Sequence, residues 1–165
     1  MSATLNPSDV SGTPTLSNGN RTIATSVDSV WQWARSTIGT SDPFYLELVC
    51  GGSSGSGNQV VGITNGTQDL SLFQSVSPNK GVQIDDTGFY YSDNVPVYSQ
   101  YGAAAASGNR ICVVVKNGKI YTRLNAGNWN NSGTADPVTE VGGINISAIG
   151  STLYVVVGSK YPYIP

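Results

Sequence analysis

The chain has 165 residues, a formal net charge of -2 and only 11% charged residues, about half the usual share. A chain of this length buries an adequate core as one domain without metal or disulfide staples. The few Lys and Arg residues form no cluster, which argues against a nucleic-acid partner, and no apolar run approaches the roughly 18–20 residues that cross a bilayer, so no membrane partner is expected.

The first residues, "MSATLNPSDVSG", lack a basic-then-apolar secretion pattern. The domain is therefore expected to begin at once and to span 1–165, with 1–15 as an N-terminal arm and 161–165 as a C-terminal tail. "SVDSVWQWARSTIG" is the one stretch where a helix competes. Its β-branched residues favour strand or loop instead.

From Phe44 onward the hydrophobic period is two. Short β-branched, aromatic or aliphatic runs follow one another: "FYLELVC", "NQVVGITN", "GVQIDD", "GFYYSD", "RICVVVK", "KIYTRLN", "INISAI" and "TLYVVVG". Gly, Asn, Pro or Ser separates nearly all of them. This spacing predicts an all-β chain folded as an antiparallel β-sandwich. "GGSSGSGN" is expected to be a solvated connection, because it has neither a helix start nor the Lys-Ser/Thr ending of a phosphate cradle. The clearest element is "VVVKNGKIYTRL". Asn117-Gly118 accepts positive φ and suits a two-residue hairpin turn, and alternation puts Val113 and Val115 on one face with Cys112, Val114 and Lys116 on the other. Cys50 and Cys112 lie in apolar runs and are expected to be free, buried thiols.

Catalytic chemistry finds little to work with. The chain has no His, its ten carboxylates are scattered, and no Cys spacing suits a metal, so no enzyme activity, metal or cofactor is expected. Asp85-Asp86 is the one adjacent acidic pair. It is expected to be a solvated turn, ahead of a calcium site or a catalytic pair, because neighbours on a strand face opposite ways. Asp93-Asn94 is expected to form an Asx-type turn, ahead of joining a calcium site. Asn20, Asn65, Asn130 and Asn145 fit the N-glycosylation pattern and are taken as incidental to Asn-rich loops.

The aromatics are more informative. Trp31 and Trp33 share one face of an extended chain, which suits core or subunit packing ahead of sugar stacking. Tyr90 and Tyr91 point to opposite sides. Tyr98 and Tyr101 bracket Ala103 to Ala106, a stretch expected to lie flat on another surface. Trp129, flanked by Asn130 and Asn131, couples a planar apolar ring to amide groups. It can plug the sandwich edge, meet a protein partner or stack on a sugar. The tail "YPYIP" carries Tyr161 and Tyr163, which either close the domain or dock on a neighbour, while its prolines stop further strand pairing.

Several segments together resemble the SPRY (B30.2-like) domain as it occurs in bacteriophage proteins. These are Asn6-Pro7, Leu16 to Asn20, a Trp near Arg35 to Gly39, "FYLELV", "VVGITN", "GFYYSDN", an apolar strand ahead of an Asn-Gly hairpin, Trp129 to Pro137 followed by Gly142-Gly143-Ile144, and "YVVVGSKYP". They cover nearly the whole chain. Two positions depart from the pattern: Asp42-Pro43-Phe44-Tyr45 stands where relatives carry Lys-Trp-Tyr, and Gly108-Asn109-Arg110 stands where Gly-Asp is usual. The resemblance implies a concanavalin A-like sandwich of two bent antiparallel sheets that serves as an interaction platform and not as a catalyst.

Three functions are compatible with this reading. The first is a virion structural protein, a capsid decoration or auxiliary protein binding other virion proteins of capsid or tail; low charge favours it, since permanent interfaces deplete charge at their centres. The second is a receptor-binding or lectin-like module for host surface glycan. It is less favoured because the sandwich fills the chain and leaves no heptad shaft. The third and least favoured is a cellular peptide adaptor. Contacts are expected from Trp129, Asn130, Asn131, Tyr98, Tyr101, Tyr161 and Tyr163. The sequence leaves homo-oligomerisation open, with a trimer suited to a quasi-threefold position.

Overall fold

The computed structural model describes residues 4–25, 29–41, 43–51, 58–72, 81–88, 90–92 and 104–160. Its strands are β1 (Leu5–Ser11), β2 (Thr15–Ser17), β3 (Thr22–Ala24), β4 (Gln32–Ser36), β5 (Phe44–Val49), β6 (Gln59–Thr64), β7 (Gly81–Asp85), β8 (Tyr90–Ser92), β9 (Arg110–Lys116), β10 (Lys119–Leu124), β11 (Ile144–Asn145) and β12 (Tyr154–Ser159). They form a six-stranded sheet, β1-β4-β12-β6-β7-β8, and a four-stranded sheet, β11-β10-β9-β5, with β2 and β3 as a separate hairpin. Every pairing is antiparallel. Among the described residues the only helical elements are 3-10 turns, and none is long and apolar enough to cross a membrane.

The core follows from alternation. Ile111, Val113 and Val115 of β9 and Ile120 of β10 meet Val61 and Ile63 of β6 and Val82 and Ile84 of β7, all at most 1% exposed. Each such side chain contributes roughly 1.5–3 kcal/mol on leaving water. Cys50, Ala105, Ile146, Ile149 and Leu153 close the ends of this layer. The β9–β10 hairpin has the predicted form: Lys116 pairs with Lys119, and Asn117 and Gly118 between them adopt φ of 50° and 66°, the pairing of two left-handed residues that matches strand twist.

A second, smaller cluster lies on the other face of the six-stranded sheet. Trp33, Val60, Leu70 and Val156 are buried there, with Trp31 packed beside them. The two Trp rings stack at 4.8 Å and 13°. Gly158 pairs with Trp33 on one side and Val60 on the other, and it leaves room for the indole, since a Cβ there would stand 2.1 Å from the Trp33 ring. Within the stretch that could have been strand or loop, residues 32–36 form strand β4, and Trp31 and Trp33 both pack in the protein. Arg35 of the same strand is also buried. Its guanidinium donates to Gln68 O at 2.6 Å and lies 3.0 Å from Asp9.

Three expectations are revised. Leu5–Ser11, expected within a terminal arm, is edge strand β1, bulged between Leu5 and Val10 where it pairs with β4. "INISAI" is a strand only over Ile144–Asn145 and then turns through a 3-10 turn at Ser147–Ile149. Asp85-Asp86 is not a solvated turn, since the two residues are 6% and 1% exposed. The Asp85 carboxylate accepts from the Thr87 N–H and hydroxyl at 2.9 and 2.7 Å, and Asp86 accepts from the Asn58 N–H at 3.1 Å. Burial is tolerated because these donors meet the charge.

Candidate functional site

The sandwich uses one face of the four-stranded sheet for its core and turns the other outward. Register fixes what that outward face carries. Tyr45 pairs with Val114, Glu47 with Cys112 and Val49 with Arg110; Arg123 pairs with Cys112 and Tyr121 with Val114. Directly opposed residues share a face, so β5 contributes Tyr45, Glu47 and Val49, and the centre holds Cys112 and Val114. Tyr45 and Val49 are 53% and 58% exposed. The polar groups among them are paired. Arg110 lies 3.3 Å from Glu47, and the Tyr45 hydroxyl donates to Glu47. Partial burial and then that carboxylate raise the Tyr45 phenol above its ordinary pKa.

The segment after β10 folds back over the other half of this face. Trp129 opens a 3-10 turn, Trp129–Asn131, and Arg123 lies over its ring at 4.3 Å from the centroid, within cation–π range. The indole is half-buried and Asn131 is exposed. Asn130 turns inward instead. Its oxygen accepts the Thr122 N–H at 2.9 Å and its amide donates to Gly142 O at 2.9 Å. β11 pairs with β10 only at Lys119 and Ile120, so the Asn130 side chain takes over the next main-chain position where the neighbouring strand has ended. Tyr121 is fully buried beneath the same segment. Gly143 closes over it so tightly that a Cβ would stand 2.4 Å from Cζ, and burial, then Glu140 and Asp136, raises its phenol pKa.

Residues 136–141 complete the surface. Asp136 and Val141 exchange main-chain hydrogen bonds at 3.0 and 3.2 Å, and the loop between them is tied to the β9–β10 hairpin. Lys116 Nζ donates to Pro137 O and Val138 O, Lys119 Nζ donates to Glu140 O, and Asn117 donates to the Glu140 carboxylate at 2.7 Å. That amide and the Lys116 ammonium, 3.3 Å away, hold the Glu140 carboxyl below its ordinary range. Val138, 79% exposed, and Val141, 49% exposed, therefore project from a loop whose backbone is already fixed.

This arrangement offers aromatic and aliphatic contact area with few net charges on a preordered frame. Among the described residues no three His, Cys, Asp or Glu side chains gather in a way that could hold a metal ion. Of the residues singled out from sequence, Trp129, Asn130 and Asn131 fall together in one turn. Tyr98, Tyr101, Tyr161 and Tyr163, like Asp93 and Asn94, lie outside the described residues. Tyr45, Val49, Arg123 and Val138 were missed. The alternation of "FYLELV" could have flagged the first two, but only sheet order shows that β5 is an edge. Three Asn residues of the glycosylation pattern are engaged within the chain: Asn65 and Asn145 accept from the Thr67 and Ser147 N–H groups, and Asn130 holds β10.

No protein-family model and no curated protein matches the chain by sequence. Among solved structures it is similar to the SPRY domain of human HERC1, with a TM-score of 0.66 and 11% identity over 96% of this chain and 91% of that one. It is also similar to stonustoxin, with a TM-score of 0.62 and 14% identity over 94% of this chain and 26% of the toxin chain. The fold is accordingly a SPRY-type, concanavalin A-like β-sandwich.

Proposed function

We propose that this chain is a non-enzymatic structural protein of a bacteriophage particle, a capsid decoration or auxiliary protein that binds other virion subunits. The observation that carries this reading is the outward face of the four-stranded sheet, where Tyr45, Val49, Trp129 and Val138 offer apolar contact among internally paired charges. Interface cores favour this composition, with aromatic and Arg side chains enriched and unpaired charge depleted. The fixed 136–141 loop lowers the ordering cost of docking. The resemblance of the Asn-Pro opening and the Trp129–Pro137 segment to phage SPRY domains supplies the particle context. A host surface glycan is the second reading, favoured by the half-buried Trp129 ring beside exposed Asn131.

The experiment is to add the purified protein to particles lacking it and to probe a glycan array in parallel. Saturable binding to the particles, weakened by Trp129→Ala, supports the virion role. No binding to particles, together with selective glycan binding abolished by the same substitution, replaces it with the lectin reading.

A further inference from the structure

A sheet edge presents a row of unpaired N–H and C=O groups that invites another strand, and proteins blunt such edges with prolines, bulges, lysines or short strands. Among the described residues, three of the four edges of the two larger sheets are blunted. β1 contains Pro7 and a bulge. β8 has three residues and β11 has two, and the Asn130 amide occupies β10 beyond β11. β5 uses none of these devices. It runs for six residues, "FYLELV", without Pro, Gly or Lys, and among the described residues β9 is the only strand paired with it. Both of its faces are incompletely covered. Tyr45 and Val49 are exposed outward, and Phe44, Leu46 and Leu48, which point into the sandwich, are only half-buried where their β9 neighbours are fully buried.

We propose that β5 pairs antiparallel with β5 of a second copy of this chain, about a two-fold axis through Leu46, so that two four-stranded sheets become one of eight strands. Side chains directly opposed across antiparallel strands share a face, and a one-residue slip would turn the apolar set outward. A two-fold register must therefore centre on a side-chain position. Centring on Glu47 would oppose two carboxylates. Centring on Leu46 sets Tyr45 of each copy against Glu47 of the other, Phe44 against Leu48, and Leu46 against itself. The strand is then self-complementary: the phenol and carboxylate that already hydrogen-bond within one chain can do so between chains, and Arg110 stays beside each Glu47. The two outward faces lie side by side on one surface, which makes the pair a bivalent adhesive unit.

Sedimentation velocity of the full chain, from low to high micromolar concentration, tests this directly. The expected result is a monomer–dimer equilibrium that Glu47→Pro abolishes while the far-UV β-signal persists, because proline removes an edge N–H and obstructs pairing. Leu46→Cys reports independently of that variant. The two copies of residue 46 would face each other with Cα atoms about 4.5–5.5 Å apart, within disulfide reach, and mild oxidation should give a covalent dimer that the native chain, with both its thiols buried, does not form. A wild-type chain that stays monomeric throughout, even if it captures a strand from another protein, overturns the proposal. So does a dimer that survives Glu47→Pro and leaves the residue-46 thiols unlinked.

Discussion

Asn130 holds Thr122 as a neighbouring strand would, with its side-chain oxygen 2.9 Å from the Thr122 N–H. Thr122 is fully buried, so losing that acceptor strands a donor away from water. Asn130→Gly keeps the backbone at ease at φ 48° and should cost about 1–3 kcal/mol. Asn130→Ala should cost about 1–2 kcal/mol more, for a Cβ in the left-handed region. Urea unfolding of both variants provides the check; equal losses would mean that the backbone conformation, and not the amide, is unimportant here.

Trp129 is expected to separate stability from binding. Its ring is largely removed from water and stacks on Arg123, so Trp129→Ala should lower stability by about 2–4 kcal/mol, about 0.5–1 kcal/mol of it from the cation–π contact and the larger part from lost burial. Particle binding should fall at least about tenfold if the indole is an anchor of the outward face. Comparing melting temperature with a binding isotherm decides the matter. A large fall in stability with undiminished affinity would make the ring a plug.

The Asn117-Gly118 hairpin was legible in the sequence because turn chemistry and alternation agree within a dozen residues. β1 was not, because Pro7 and Asp9 argue locally against a strand and the partner that overrides them, β4, lies well over twenty residues away. Asp85 and Asp86 looked like surface residues for a similar reason: part of what makes their burial tolerable, the Asn58 N–H, comes from a segment 28 residues earlier. Trp129 was visible as an aromatic in a polar loop. Its Arg123 partner was not, since the contact depends on how the chain folds back after β10. The alternation of "FYLELV" marks Tyr45 and Val49 as sharing one face, but that β5 is last in its sheet is a property of topology that no local pattern encodes.

Gly158 should resist the substitution that usually suits a strand. Alanine loses less backbone entropy than glycine on folding, yet a Cβ here would stand 2.1 Å from Trp33 Cε3. Overpacking should win, with Gly158→Ala losing about 1–3 kcal/mol. The near-UV circular dichroism arising from the stacked Trp31–Trp33 pair should change at the same time. Unchanged spectra and a gain in stability would show that the ring can slide aside.

The 136–141 loop should loosen in acid. The Glu140 pKa is depressed in the folded protein, first by the Asn117 amide and then by Lys116. The stabilising contribution is therefore fully present above the ordinary glutamate pKa of about 4.3 and is lost as pH falls through the lower folded value. Amide exchange at Val141, whose N–H bonds Asp136 O, should accelerate over that window, after correction for intrinsic rates. Glu140→Gln should exchange at neutral pH as the acidified native chain does. Identical protection in both forms across the range would remove the carboxylate from the clamp.

Cys50 should titrate in the opposite sense. Burial first, and then the nearby Asp86 carboxylate, pushes its thiol up to about 11, against about 8.5 for a free cysteine. The folded state thus prefers the neutral thiol. The associated stability is complete below the ordinary value and is lost as pH rises through about 11. At neutral pH the thiol is both protonated and only 2% exposed, so alkylation by a thiolate-selective reagent should be far slower in the folded chain than in denaturant, where both cysteines react. Asp86→Asn should pull the titration downward by removing the charge, while leaving burial as the larger cause. Rapid modification of Cys50 in the native protein at neutral pH would contradict its place at the sealed end of the core.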